Sequence, residues 1–237
     1  MTLGKLYLIP VPLGDEADPK QVLPDSVART VELIDHYIVE NEKTARRFIK
    51  AIYPAKKQPD LKLSVLNKHT GPSEHLDFIK PCFEGMNVGL MSEAGCPGIA
   101  DPGAVVVKLA HEKGIQVIPM TGPSSILLAM MASGMNGQNF AFNGYLPIDK
   151  AEKKTALKSL EKLSHDKNQS QIFMETPYRN NKFLEDILAT LQPNTHLCIA
   201  TDITLPTEYI RTRTIAQWKK ESVDLHNRPC IFILHKW

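Results

Sequence analysis

Two α/β domains are predicted for this chain of 237 residues, on three observations. Through about residue 119, short apolar runs alternate with amphipathic segments, the order that strand–helix–strand units and a parallel sheet require. The runs themselves are continuous rather than alternating, which marks strands buried on both faces. Beyond residue 120, strand-like runs predominate, and the last of them lie so close together that antiparallel pairing is favoured. The expected fold is therefore a mostly parallel sheet with helices on both faces over 1–119 and a mixed or antiparallel sheet over 120–237, joined near Pro119–Pro123.

The elements follow in order. KLYLIP is the first strand, and Pro10 ends its ladder because it has no N–H to donate. A helix follows from about Asp25, with Val27, Val31 and Ile34 on one face. HYIVE is the second strand, and EKTARRFIKAIY is a helix that stops before Pro54. LKLSVL, NVGLM and QVIPM supply three more strands. Gly71-Pro72-Ser73 opens a helix that Gly85 ends. Asp101-Pro102 reads as an N-cap acceptor followed by proline at the first helical position, with Gly114 closing that helix. Thr121-Gly122-Pro123 opens SSILLAMMAS, and Gly134 follows it. Further on, 139–145, 171–174, 197–201, 208–212 and 230–235 read as strands, with helices near 150–163 and 177–191.

Composition narrows the function. Hydrophobic residues make up 43% and charged ones 23%, as in a globular protein, and the formal net charge is only +2. Neither a nucleic-acid nor a membrane surface follows from that balance. The N-terminus lacks the basic-then-apolar pattern of a signal segment, and no membrane partner is expected. Cys82, Cys96, Cys198 and Cys230 have no CxxC spacing, which fits a reduced, cytoplasmic protein. The eight histidines form no HExxH-like pair, so no metal is expected.

Ligands of open parallel sheets bind beyond the carboxyl ends of the strands. After the first strand a dinucleotide fold would place G-x-G-x-x-G; here the chain reads I-P-V-P-L-G, and Pro10 and Pro12 have no N–H to cradle a phosphate. SEAGCPGIADPG, residues 92–103, packs three glycines, two prolines and two carboxylates into one loop. Such loops suit a flat, phosphate-free adenosyl ligand held by backbone hydrogen bonds. A sulfonium charge on that ligand would be eased by carbonyls or a carboxylate.

Four collinear segments carry a resemblance. GLMSEAGCPGIADPG is similar to an aliphatic-S-D-A-G-T-P-x-I-S-D-P-G loop, PMTGPSSILLAMMASGM to a P-x-P-G-P-S-A helix start, FMETPYR to F-Y-E-S-P-H-R, and NFAFNGYLP to F-x-F-x-G-F-L-P. Together they resemble the tetrapyrrole methylase superfamily of S-adenosylmethionine-dependent methyltransferases. Within it the chain is most similar to the ribosomal small-subunit 2′-O-methyltransferase I family, which modifies a cytidine of 16S rRNA. The likeness implies S-adenosylmethionine as donor, S-adenosylhomocysteine as product, no metal, a homodimer, and a donor site in the cleft between two α/β domains. It implies donor contacts at Pro10, Glu93, Cys96, Ser124 and Ser125, and at Met174, Ala200 and Cys230. The first domain would carry the acceptor loops and half of the donor site, the second the other half.

The departures lie mostly in the acceptor loops. Glu93 stands where the superfamily usually has Asp, and P-I-G-N becomes Pro12-Leu13-Gly14-Asp15. A-E-D-T-R becomes V-E-N-E-K, keeping Glu40 and placing Asn41 and Lys43 where Asp and Arg stood. H-E-H-N becomes N-K-H-T, retaining His69. A ribose hydroxyl needs its proton removed; Glu40 and His69 are the candidates, with Lys43 placed to stabilise negative charge.

Simpler readings stand beside these. Asp101 suffices as a helix cap, Cys96 as a small apolar wall, Met174 as core, and Glu175–Arg179 as a salt bridge. Ser124 and Ser125 fit helix capping and ligand contact alike, and His69 fits loop hydrogen bonding as well as base chemistry. Lys43, Arg46 and Arg47 form one basic run, and Lys153, Lys154, Lys158 and Lys162 another. Solvation is their default, and phosphate contacts belong there if RNA is the acceptor. Three alternatives stay open: a methyltransferase acting on a tetrapyrrole, a protein or a small molecule; a non-catalytic S-adenosylmethionine-binding protein; and an ordinary nucleotide-binding enzyme, which Pro10 and Pro12 disfavour.

Overall fold

The computed structural model describes residues 2–66, 70–71 and 74–237. By compactness it consists of two units, Met1–Ser124 and Ser125–Trp237. In the first, β1 (Leu6–Leu8), α1 (Pro19–Val22), α2 (Asp25–Leu33), β2 (His36–Val39), α3 (Glu42–Ile52), β3 (Lys62–Val65), α4 (His75–Phe83), β4 (Val88–Met91), α5 (Ala104–Glu112) and β5 (Val117–Pro119) follow one another. The five strands lie in the order β3-β2-β4-β1-β5. Every neighbouring pair is parallel, so the mostly parallel expectation tightens to wholly parallel.

Two cores show which helix covers which face. Val27 and Val31 of α2 and Phe48 and Ile49 of α3 pack with Ile9, Tyr37 and Met91. Ile79 and Cys82 of α4 and Val106 and Ala110 of α5 pack with Leu6, Ile38 and Leu90. The division follows from the right hand of parallel crossovers. Connections leaving β1 and β2 move one way along the sheet and those leaving β3 and β4 move the other way, so their helices land on opposite faces. β4 therefore ends between β1 and β2, whose chains depart to the other face, and that is a topological switch point.

The second unit runs α6 (Ser125–Ser133), β6 (Phe140–Tyr145), α7 (Lys150–Lys167), β7 (Ser170–Met174), α8 (Asn180–Thr190), β8 (His196–Thr201), β9 (Tyr209–Thr214), α9 (Ile215–Trp218) and β10 (Cys230–His235). Its sheet order is β6-β7-β10-β8-β9. β6 and β7 are parallel, and the remaining pairs are antiparallel. Phe173, Phe183 and Phe232 form its aromatic centre, with ring centroids 5.3–6.1 Å apart. Trp218 is buried beside them, and its indole N–H reaches the Leu197 carbonyl at 2.8 Å, so the large side chain leaves no donor unpaired.

Side-chain caps open four of the described helices, at Asp18, Asn41, Asp149 and Thr214. Asp149 accepts from the N–H groups of Ala151 and Glu152 at 2.9 and 3.0 Å, and Asn168 ends α7 in the left-handed conformation. Asp101 behaves differently from its expected role. The helix begins at Ala104, Gly103 is its cap residue, and no side chain caps it. Left-handed backbone at Gly98 and Ala100 (φ 84° and 60°) folds the loop back, so Asp101 bonds within the loop before the helix begins. Its two oxygens accept from Gly98 N at 3.0 and 2.8 Å, and Oδ1 also accepts from Gly103 N at 2.7 Å. Thr176 gives no side-chain cap; it precedes a short 3-10 turn, Pro177–Arg179, and α8 starts only at Asn180, later than the 177 expected. His69 lies outside the described residues, as do Pro72 and Ser73 of the expected helix opening.

Candidate functional site

Of the loops that leave the carboxyl ends of the first sheet's five strands, hydrogen bonds tie three together. The loop after β1 pairs with the loop after β4 through an isolated bridge. Val11 N donates to Gly95 O at 3.0 Å, and Gly95 N donates to Val11 O at 3.2 Å. The loop after β2 joins through Glu40, whose Oε1 accepts from Glu93 N at 3.1 Å. Asn41 caps α3, accepting from Lys43 N at 2.9 Å, so asparagine at this position keeps the acceptor that an aspartate would supply. One turn into that helix Thr44 donates to Glu93 Oε1 at 3.3 Å.

The fourth loop, residues 120–124, closes against the others in two places. Cys96 Sγ faces the carbonyl of Pro123 at 3.4 Å. Burial raises the pKa of this thiol, which suits a wall and not a nucleophile. A Cβ added to Gly122 would stand 2.2 Å from Cβ of the buried Pro10, so only glycine allows this approach. Pro10, Glu93 and Cys96 thus belong to one connected set of loops, and Gly122 builds it with them.

Glu40, Glu93 and Asp101 make this region acidic. Burial raises the pKa of Glu40, partly offset by its bond from Glu93 N, and the charges of Asp101 and Glu93 add to the rise. Among the described residues neither Glu40 nor Glu93 has an ion-pair partner. Such a field opposes a phosphate and favours a cation, so the residues present fit the sulfonium of S-adenosylmethionine better than a nucleotide's phosphates.

Beside Glu93 lies a cavity of about 120 Å³, floored by Val11, Phe48 and Met91 and rimmed by Asp15, Thr44 and Arg47. Arg47 pairs with Asp15, so the carboxylate standing where the resembled P-I-G-N pattern has asparagine meets its own cation here. Arg46 bonds the Gln58 carbonyl at 2.8 Å and lies 3.8 Å from Glu42. Lys43 is exposed and has no ion pair among the described residues. Of the three expected acceptor-side groups, Glu40 and Lys43 stand either side of the α3 cap, and His69 is outside the described residues.

In the second unit Met174 and Ala200 both face Ile231 across the sheet, and Cys230 adjoins it, so the three expected residues share one end of the central strands. Met174 is half-buried; Ala200 and Cys230 are buried, and burial pushes the Cys230 thiol pKa up. Ser125 is the first residue of α6, and Ser124 ends the first unit. Glu175 does more than pair with Arg179. Its Oε1 accepts from Arg179 Nη2 at 2.8 Å and from Thr176 N at 2.7 Å, which shapes the turn after β7.

Sequence reasoning missed Thr44, Gly122 and the latch role of Asp101. Thr44 carried no signal, since its partner lies 49 residues away. Gly122 did carry one: a glycine before Pro123 in a loop where chains converge. Among the described residues there is no group of three or more His, Cys, Asp or Glu side chains set to hold a metal, and no helix is long and apolar enough to cross a membrane.

A family model described as tetrapyrrole (corrin/porphyrin) methylases matches residues 5–219. The chain is 29% identical over 245 residues to the ribosomal RNA small subunit methyltransferase I of Buchnera aphidicola subsp. Schizaphis graminum, covering 98% of this chain and 78% of that protein. With the protein of that name from Escherichia coli O157:H7 it shares 27% over 234 residues, covering 98% and 77%. Among solved structures it resembles the methyltransferase CobJ, with a TM-score of 0.65 at 14% identity, covering 98% of this chain and 94% of that one. The uroporphyrin-III C-methyltransferase of Thermus thermophilus in complex with S-adenosylhomocysteine gives a TM-score of 0.57 at 15% identity, covering 98% of each chain.

Proposed function

This chain belongs to the tetrapyrrole methylase family and is an S-adenosylmethionine-dependent methyltransferase, and on that premise we propose that its acceptor is small-subunit ribosomal RNA, methylated on the 2′ oxygen of a cytidine. The observation that carries the acceptor is the near full-length similarity to proteins named ribosomal RNA small subunit methyltransferase I. In this reading Pro10, Glu93, Cys96 and Ser124 of the first unit hold the donor, together with Ser125, Met174, Ala200 and Cys230 of the second. Bound S-adenosylmethionine supplies a methyl group already activated by its sulfonium. The residues of the chain then align the partners and exclude water.

Glu40 receives the hydroxyl proton in this scheme. A carboxylate whose pKa is raised by burial is a stronger base than an ordinary one. Lys43 stabilises the negative charge that develops on the acceptor oxygen, and His69 is the other acceptor-side group. Four free thiols support a reducing cytoplasmic setting, and the exposed Met131 and Ile148 supply apolar surface for a homodimer. Light scattering in solution checks the dimer.

The acceptor is tested with tritiated S-adenosylmethionine and small ribosomal subunits that lack the modification. Label in a dinucleotide that resists alkaline hydrolysis is the expected result, because a 2′-O-methyl group blocks strand cleavage. Label in a tetrapyrrole or in ribosomal protein instead would overturn the rRNA reading. Donor binding is tested separately by calorimetric titration with S-adenosylhomocysteine. Glu93→Ala is expected to weaken it about tenfold, the loss of one hydrogen bond to a carboxylate, about 1.5 kcal/mol, because this ligand's thioether carries no sulfonium charge.

Glu40 has its own signature. Its carboxyl must be ionised to accept a proton, so the rate falls as pH drops through a pKa lying above the ordinary carboxylate range. Glu40→Gln removes that acid limb and leaves a low, flat profile. A limb that survives the substitution assigns the base elsewhere.

A further inference from the structure

We propose that the groove between α7 and α8 is a second RNA contact, a track for the phosphates of the acceptor strand away from the methylated nucleotide. The inference rests on the rRNA reading above and adds a surface to it. Of the two basic runs in the sequence, the structure separates one from the other. In α3 both arginines are committed within the protein, Arg47 to Asp15 and Arg46 to the Gln58 carbonyl. In α7 Lys153 is committed too, buried with Asp186 at 2.9 Å and lying over the Phe183 ring. Lys150, Lys154 and Lys158 are exposed and have no ion pair among the described residues.

The acids that line the groove have other partners. Asp186 serves Lys153, and Asp166 pairs with Lys162 at 2.6 Å. Glu161 is buried and accepts from Gln192 N at 2.8 Å and from the Thr195 hydroxyl. Lysine recurs at every fourth residue from 150 to 162, and each such step rises about 6 Å along one side of a helix. That is a ladder of point charges at a pitch comparable with successive phosphates of an RNA strand.

Two cavities make the ladder a groove. One of about 250 Å³ is lined by Lys150, Lys154 and Thr190, and one of about 560 Å³ by Lys158, His165, Thr190 and Lys236. Thr190 borders both, so they run on from each other along α7. Neither lining includes a Phe, Tyr, Trp, Met or large aliphatic side chain of the kind that anchors a protein partner. Lysines without apolar anchors suit a backbone contact that positions RNA and does not read its bases.

The test compares the wild-type protein, a K150Q/K154Q/K158Q variant, and a K80Q/K108Q/K113Q control with the same change in net charge. Each is assayed for methyl transfer to small ribosomal subunits at several salt concentrations, with S-adenosylhomocysteine affinity and circular dichroism in parallel. Loss of three phosphate contacts should flatten the slope of log affinity against log salt by about two to three. The groove variant should show a KM for subunits raised about tenfold or more, with kcat and S-adenosylhomocysteine affinity unchanged. If the groove variant matches the control, the track is overturned while the rRNA reading stands. If the wild-type protein binds S-adenosylhomocysteine but neither binds nor methylates the subunits, the rRNA reading falls and the track with it.

Discussion

Asp101→Ala is expected to lower the stability of the first unit by about 2–4 kcal/mol, because it strips the partner from two backbone N–H groups at once. Gly98 N and Gly103 N both end on this carboxylate, and both positions are partly or fully buried, so water does not replace it freely. The loop it closes is the one that presents Glu93 and Cys96. Affinity for S-adenosylhomocysteine should therefore fall by tenfold or more alongside the lower urea midpoint. Asp101→Asn separates geometry from charge. Its remaining carbonyl can keep both bonds made by Oδ1, but its amide would meet Gly98 N donor to donor, where Oδ2 now accepts at 2.8 Å. An intermediate loss is expected. An Asp101→Ala variant with wild-type stability and affinity would show that the loop holds its shape without the latch.

Gly122→Ala is the second large effect. The new methyl group would overlap Cβ and Cγ of Pro10 at 2.2 and 2.3 Å, and the far side meets Leu23 at 3.3 Å. A proline ring has no rotamer by which to move away, so backbone must shift in one loop or the other. Overpacking of this kind costs about 1–3 kcal/mol. Because Pro10 is a proposed donor contact, the cost should appear twice, as a lower thermal midpoint and as donor affinity reduced by tenfold or more. Unchanged affinity with reduced stability would mean that Pro10 is structural only.

Much of this site is legible in the amino-acid sequence, and the reasons are local. Pro10 and Pro12 exclude a phosphate cradle through the absence of an N–H, which holds in any fold. The Asn41 cap of α3 joins residues only two apart and so is local as well. The Asp101 expectation failed for a reason that sequence does not carry. Asp-Pro-Gly ahead of an apolar run satisfies the cap pattern, yet the positive φ of Ala100 turns the carboxylate back into its own loop. Local pattern supplied the right residue and the wrong bond.

The basic runs show the same limit from the other side. Lys153 and Lys154 are neighbours in sequence, but the helical turn buries the first against Asp186 and leaves the second in solvent. No count of charges separates them.

The sequence by itself determined the alternation of elements, the burial of the central strands β2 and β4 (the edge strands β3 and β5 are partly exposed), the poor fit to phosphate and the family. Each of these rests on short-range chemistry: period, caps, missing donors and contiguous motifs. Tertiary structure alone decided that Glu40 would hold Glu93, that Gly122 would lie on Pro10, and which lysine of α7 would be buried on an acid. The first two contacts join residues tens of positions apart, and so does the Lys153–Asp186 pair that sorts the lysines. A chain's pairings at that distance are set by strand order and packing, which no local pattern encodes.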